Sequence, residues 1–133
     1  MSKMLNENLG TVDYDELIIG NFPVADVVMV KLAGGQGVVK RGTVVTGDPG
    51  GEMKAIAAAV TAGRALYIVT DDTDTGETPG EEEEEEPPAA VFATVYRSGK
   101  FNRKKVLTDG SYKLTAADEE YLRLGNILME DAI

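Results

Sequence analysis

Eight consecutive residues, AVFATVYR at positions 90–97, show the alternation typical of a half-buried β-strand. Val91, Ala93 and Val95 share one face of this strand. Further short strands are predicted on both sides of it, because β-branched stretches alternate with turn-forming glycines. These strands are predicted at residues 27–32, 38–46 (one strand or a pair, bent at Gly42), 65–70 and 127–129. Five to seven short strands therefore make up most of the chain.

Two stretches are harder to assign. Residues 52–62 are rich in alanine, which favours a helix, but Val60, Thr61 and Gly63 weaken that preference. Ser98-Gly99 is predicted to turn the chain away from the preceding strand and into Lys100-Phe101-Asn102.

One helix is predicted near the C-terminus. Thr115 is a good N-cap, and Asp118 lies in the first turn, where a negative charge is favourable. Gly125 is placed to end the helix. Its apolar face is predicted to comprise Ala117, Tyr121 and Leu124. The predicted fold class is therefore mainly β, with one short C-terminal helix.

The charge of the chain is concentrated in one segment. The formal net charge of the 133 residues is −10, from 13 basic and 23 acidic side chains. Residues 71–88 hold ten of the acids and no base, which leaves 13 acids and 13 bases elsewhere. The chain is therefore a neutral domain with an acidic loop insert, which includes the run Glu81–Glu86.

The residue types that are missing exclude many kinds of site. Without cysteine there are no disulfides or thiolate sites, and without histidine there is no Ser-His-Asp chemistry. The glycine-rich stretch at 33–37 lacks the phosphate-binding patterns. We expect no enzyme activity, no cofactor or metal site and no small-molecule substrate.

The N-terminus lacks the apolar core of a signal peptide, and the longest uncharged apolar run is too short to span a bilayer. We therefore expect synthesis in a cytoplasm and no membrane partner.

The acidic segment allows two interpretations. Six adjacent glutamates repel one another, and Pro79, Gly80 and Pro87 bracket them, so a solvated loop is expected. Alternatively, Asp72-Thr73-Asp74 resembles the start of a calcium loop. The EF-hand pattern requires glycine at position 77, however, and residue 77 is glutamate. Only weak cation attraction remains open.

Five of the 13 bases lie between Arg97 and Lys105, with Tyr96 and Phe101 among them. This pattern invites a nucleic-acid interface. The acidic segment would repel phosphates, and lysines on a strand edge also prevent unwanted pairing. A solvated strand edge without direct nucleic-acid binding is the favoured interpretation.

The first 16 residues show no sustained periodicity and are expected to be a frayed terminus or an arm that orders on a partner. An apolar patch follows at residues 17–24, interrupted by Gly20 and Pro23. Such a patch is sticky unless it is covered. The candidate docking residues are Leu17, Ile18, Ile19, Phe22, Pro23 and Val24.

Four stretches stand out in order along the chain: GVVKRGTVV at 37–45, VTDDTD at 69–74, VYRSGKFNR at 95–103 and LRLGNIL at 122–128. Together they resemble the lambdoid bacteriophage head decoration protein D family over roughly residues 16–129. The third stretch is the most specific. The motif residues are Lys40, Arg41, Gly42, Thr43, Tyr96, Ser98, Gly99, Phe101, Asn102, Leu124 and Gly125.

The resemblance implies a non-enzymatic capsid cement with a β-clip-like small barrel of short strands. Its partners would be the major capsid protein and itself, as a homotrimer at three-fold and quasi-three-fold positions of the expanded head. Its location would be the outer surface of the virion head. An extended N-terminal arm at residues 1–24 would dock by adding a strand to the capsid protein, and residues 25–133 would form the decoration domain.

The acidic run has no counterpart in typical members of that family, and we expect it to point away from the shell. A different class of function also stays open at this point. The chain would then be a surface-exposed binding module that attaches to a host envelope ligand or a cation through the acidic loop.

Overall fold

The computed structural model describes residues 16–77 and 88–131. Within these ranges the protein is mainly β, with nine strands, one short 3-10 turn at Arg103–Lys105 and one helix near the C-terminus. The strands are β1 (Ile18–Gly20), β2 (Asp26–Leu32), β3 (Val38–Val39), β4 (Val44–Gly47), β5 (Glu52–Ala55), β6 (Ala65–Val69), β7 (Thr73–Asp74), β8 (Val91–Asn102) and β9 (Ile127–Glu130). The helix, α1, comprises Ala116–Leu124. The predicted fold class is confirmed.

Seven of these strands form one sheet that closes on itself. The pairings run from β8 to β2, β5, β4 and β6, and β6 then pairs with β8 again. The closing contact joins Ile68 to Tyr96 and Val69 to Val95. This closed circuit of strands is a small barrel. Closure of this kind leaves fewer strand edges open. The remaining pair, β3 and β7, forms a separate two-stranded ribbon.

Strand β8 is the central element of the fold. Residues 91–98 pair with β2, residues 99–102 pair with β9 on one edge, and Lys100 and Phe101 pair with β1 on the other edge. The predicted turn at Ser98-Gly99 is wrong, because the strand continues through both residues. The pairing register with β2 shifts at this point, as in a β-bulge. Gly99 has a φ of 146°, which a side chain would disfavour.

The stretch at 52–62 does not form a helix, and it begins with a strand. Residues 52–55 form β5, and the following residues are irregular as far as β6. Met53 is buried between the neighbouring strands, while Ala57, Ala58 and Ala59 are exposed. Helix propensity is overridden here because the sheet buries Met53, and exposed alanines provide no apolar face to pack.

The buried side chains form two clusters. One contains barrel-strand residues such as Leu32, Val45, Met53, Val69 and Val95. The other joins β1, the helix and β9 to the barrel, and its members are Leu17, Val44, Ile56, Ile68, Phe101, Leu122 and Ile127. No helix in the described part of the chain is long and apolar enough to cross a membrane.

Helix α1 begins and ends as predicted, but it buries a different face. Thr115 accepts a hydrogen bond from the N–H of Asp118, and the Asp118 carboxylate accepts one from the N–H of Thr115. This reciprocal capping box starts the helix, and Gly125 ends it. The buried residues are Asp118 and Leu122, whereas Leu124 is 67% exposed. The predicted apolar face is therefore wrong, because hydrogen bonds satisfy Asp118 and let it face inward.

Candidate functional site: an exposed apolar strand edge

The segment predicted as a docking arm is divided between the core and the surface. Leu17 is buried beside Phe101 and Leu122 in one core cluster, and its carbonyl accepts a hydrogen bond from the N–H of Asn102 at 2.8 Å. Ile18 and Ile19 belong to β1, which pairs with the end of β8. The first half of this segment is therefore part of the folded domain. Residues 1–15 of the predicted arm lie outside the described residues.

The second half of the segment lies on the surface. Phe22 is 82% exposed and Val24 is 67% exposed. Between them, Pro23 follows a cis peptide bond and is half-buried. Large apolar side chains of this kind are costly to leave in water, so a contiguous group of them indicates an interaction surface.

Strand β2 continues this apolar surface. Val27 and Met29 point outward from the strand, and Met29 is 63% exposed. On the neighbouring strand, Phe92 is 65% exposed and lies opposite Lys31. The Lys31 ammonium lies 5.6 Å from the centre of the Phe92 ring, a cation–π distance. We call Phe22, Val24, Val27, Met29 and Phe92 the apolar edge.

In the described part of the chain, one edge of strand β2 is also paired over only a short stretch. Strand β2 pairs with β8 along its whole length, but it pairs with β5 only through Lys31 and Leu32. The other edge of residues 26–30 therefore has no strand partner among the described residues. An open edge flanked by apolar side chains is a template for an additional strand from another chain.

Residues on β8 hold the apolar edge in place. The Ser98 hydroxyl donates a hydrogen bond to the carbonyl of Val24 at 2.7 Å. The Arg97 guanidinium lies 2.6 Å from the carboxylate of Asp26, the first residue of β2. A Cβ atom at Gly99 would lie 3.0 Å from the Phe101 ring and 3.5 Å from the Cα of Ala25. Ser98 and Gly99 thus position the segment that carries Phe22 and Val24.

Three of the sequence motifs meet around Tyr96. The Arg41 guanidinium donates hydrogen bonds to the Thr70 carbonyl at 2.8 Å and to the Tyr96 hydroxyl at 3.0 Å. It also lies over the Tyr96 ring, and the backbone N–H of Arg41 donates to the Asp72 carboxylate. Tyr96 in turn packs against Phe101, with ring centres 5.4 Å apart. These residues connect the strand ends and have structural roles.

The other motif residues are mostly structural as well. Thr43, Phe101 and Asn102 are buried, and the Asn102 side chain caps the short 3-10 turn by accepting from the N–H of Lys104. Gly42 has a φ of 92°, and a Cβ there would lie 3.0 Å from the Lys105 carbonyl. Lys40, Leu124 and Gly125 are exposed. None of them belongs to the strands or the segment that form the apolar edge.

The basic cluster at residues 97–105 is largely neutralised within the chain. Arg103 forms ion pairs with Glu119 and Asp131, and Lys100 pairs with Glu130. The Arg103 guanidinium donates hydrogen bonds to the carboxylates of Glu119 and Asp131, and these bonds raise the pKa of Arg103. Together with the pair of Arg97 and Asp26, these ion pairs engage three of the five basic side chains, and Lys104 and Lys105 have none in the described ranges.

The described residues contain no group of three or more potential ligands that could hold a metal ion. The run Glu81–Glu86 lies outside the described residues. Asp74 accepts a hydrogen bond from the N–H of Gly76, which is a local turn contact.

The sequence did not single out Val27, Met29 and Phe92 as candidate site residues. Their strands were predicted, but alternation alone does not show which face of a strand is covered. A signal was nevertheless present, because both faces of residues 27–30 are apolar.

Comparison with models of known protein families gives no match for this chain, and comparison with curated proteins gives none either. The relationship to the phage decoration proteins therefore rests on the four sequence motifs and stays a prediction.

Proposed function

We propose that this protein is a non-enzymatic virion structural protein that decorates and stabilises the expanded capsid of a tailed bacteriophage. In this proposal it binds as a trimer at three-fold and quasi-three-fold positions on the outer surface of the head. Its partners are the major capsid protein and other copies of itself. The apolar edge is the observation that carries the proposal, because it joins exposed apolar side chains to a strand edge that has no partner among the described residues.

The geometry of this edge suits docking by strand addition. Backbone hydrogen bonds to residues 26–30 would supply affinity, and the alternating Val27 and Met29 side chains would supply specificity. A trimer presents three such edges, and their combined binding through a high effective concentration allows each contact to be modest.

The first experiment measures binding of the purified protein to expanded and unexpanded heads of the phage that encodes it. Cosedimentation gives the occupancy at a series of protein concentrations. We expect binding to expanded heads to be clearly preferred. Equal binding to both forms, or none to either, contradicts the proposal.

A pair of variants tests the role of the apolar edge. Met29→Lys places a charge in the proposed interface and is expected to weaken head binding at least tenfold, which is about 1.4 kcal/mol. Leu124→Lys is the matched control, since Leu124 has nearly the same exposure on helix α1. It should bind heads like the wild type. If Met29→Lys also binds like the wild type while remaining folded, the apolar edge is not the docking surface.

A further inference from the structure

A groove of about 600 Å³ lies on another part of the surface, between the loop that precedes β3, the end of β5 and the segment around Leu107. Its lining includes the buried residues Val39 and Thr43. Val38 and Leu107 also line it and are 53% and 41% exposed. The groove therefore combines buried lining residues with exposed apolar side chains, as interface pockets commonly do.

Two lysines give the groove a positive charge. Lys40 and Lys54 both line it, and Asp109 is the acidic residue among the lining groups. In the described ranges neither lysine forms an ion pair, whereas Arg64, Arg97 and Arg103 all do. The free ammonium groups favour a partner that is both acidic and able to cover apolar side chains.

The same chain carries such a surface next to the groove. Strand β3, which lines the groove through Val38 and Val39, pairs with β7. The segment around β7 exposes four carboxylates, on Asp71, Asp72, Asp74 and Glu77. We call residues 71–77 the acidic turn. The groove and the acidic turn are thus neighbours, since the ribbon of β3 and β7 joins them.

We propose that the groove with Lys40 and Lys54 receives the acidic turn of a second copy of this chain. The charges of the two surfaces are complementary, and each copy carries both. Contacts between two different surfaces repeat from copy to copy and close into a ring when the rotation permits. The inference rests on the proposed function, for which it names the contact between copies.

Charge reversal tests this contact. Lys54→Glu and Glu77→Lys are each expected to weaken self-association at least tenfold, as measured by sedimentation equilibrium at low salt. The double variant should restore association to within about threefold of the wild type, because the reversed charges attract again. Lys113→Glu, an exposed lysine outside the groove, is the control and should associate like the wild type. Thermal unfolding of each variant checks that it remains folded.

Any of three results would overturn the inference. The wild type could be monomeric at every concentration, or the double variant could lose as much self-association as the two single changes combined. The third is a Lys113→Glu control that self-associates as weakly as Lys54→Glu. Binding to expanded heads is measured separately. If the wild type binds heads but does not self-associate, the decoration function stands and this contact is wrong. If it self-associates through the groove but does not bind heads, this contact stands and the decoration function is wrong.

Discussion

Asp118 is the residue whose environment departs furthest from its ordinary preference. It is buried, yet it accepts hydrogen bonds from the N–H groups of Thr115 and Val60, both at 2.9 Å, and from the Tyr112 hydroxyl. Burial alone would raise its pKa, but these hydrogen bonds outweigh burial and lower the pKa of Asp118 below its ordinary value. The same hydrogen bond to Asp118 raises the pKa of Tyr112. One carboxylate thus ties helix α1 to two loops.

Asp118→Asn is expected to lower the free energy of unfolding at pH 7 by about 1–3 kcal/mol, because an amide nitrogen cannot accept these hydrogen bonds. A carboxylate whose pKa is lowered by folding stabilises the protein above its unfolded pKa of about 3.9. That contribution is lost as the pH falls through the folded value. Urea unfolding of both proteins between pH 7 and pH 2 should therefore show their difference shrinking below about pH 4.

The exposed Asp109→Asn is the control for this series and should change stability by less than about 0.5 kcal/mol. A constant difference between the wild type and Asp118→Asn across the whole pH range would contradict the assigned role of the Asp118 carboxylate.

Leu17 and Leu124 show what sequence could not decide at the scale of residues. Leu17 belongs to the apolar patch that was expected to dock on a partner and Leu124 to the predicted apolar face of the helix, yet Leu17 is buried and Leu124 is 67% exposed. Leu17 is covered by residues such as Phe101 and Leu122, which are more than 80 positions away in the chain. Burial by such distant residues leaves no local pattern.

Among the elements, β1 shows how closely the proposed docking surface is coupled to the core. It pairs with β8 through Ile18 and Gly20, and Leu17 immediately before it fills part of a core cluster. The segment therefore cannot act as an independent arm along its whole length. The apolar edge begins only after β1, at Phe22.

Deletion of residues 1–24 is expected to lower the free energy of unfolding by at least the 2–5 kcal/mol typical of truncating a buried leucine. The deletion removes Leu17, all of β1 and the carbonyl that accepts from Asn102. Deletion of residues 1–15 is the matched control, since it leaves every described contact of Leu17 and β1 in place. Urea unfolding compares the two proteins. Equal stability of the two would show that β1 is not part of the folded core.

The elements themselves were predicted with uneven success. The helix termini followed from Thr115, Asp118 and Gly125, because capping is a local interaction. The continuation of β8 through Ser98-Gly99 was missed, since glycine ordinarily indicates a turn. Strand β9 pairs with β8 from Gly99 onward, β1 pairs with it at Lys100 and Phe101, and these pairings stabilise the extended conformation.

At the scale of the molecule, the described surfaces have distinct chemistry. The apolar edge lies along β2, β8 and the segment that leads from β1 into β2, whereas the groove and the acidic turn lie around β3 and β7. The proposed head contact and the proposed contact between copies therefore use different elements, so that one protein can make both at once.

Replacement of Glu81–Glu86 by glycine and serine separates the decoration function from attachment through the acidic loop. If the apolar edge docks on the head, affinity for expanded heads should stay within about threefold of the wild type at physiological salt, where exposed charges are screened beyond about 8 Å. Cosedimentation with heads measures this affinity. A loss of head binding would favour a direct role for the acidic run, and Met29→Lys serves as the positive control for weakened binding.

The sequence by itself determined the mainly β class, the capping of the helix and the concentration of negative charge in one segment, because these depend on neighbouring residues. Only the tertiary structure decided that β6 returns to β8 and closes the barrel and that Leu17 belongs to the core. It also showed that residues 26–30 of β2 have one edge without a strand partner among the described residues. Each of these depends on pairing between distant strands. An apolar residue at an alternating position is compatible with either a core or a docking surface until the covering strand is known.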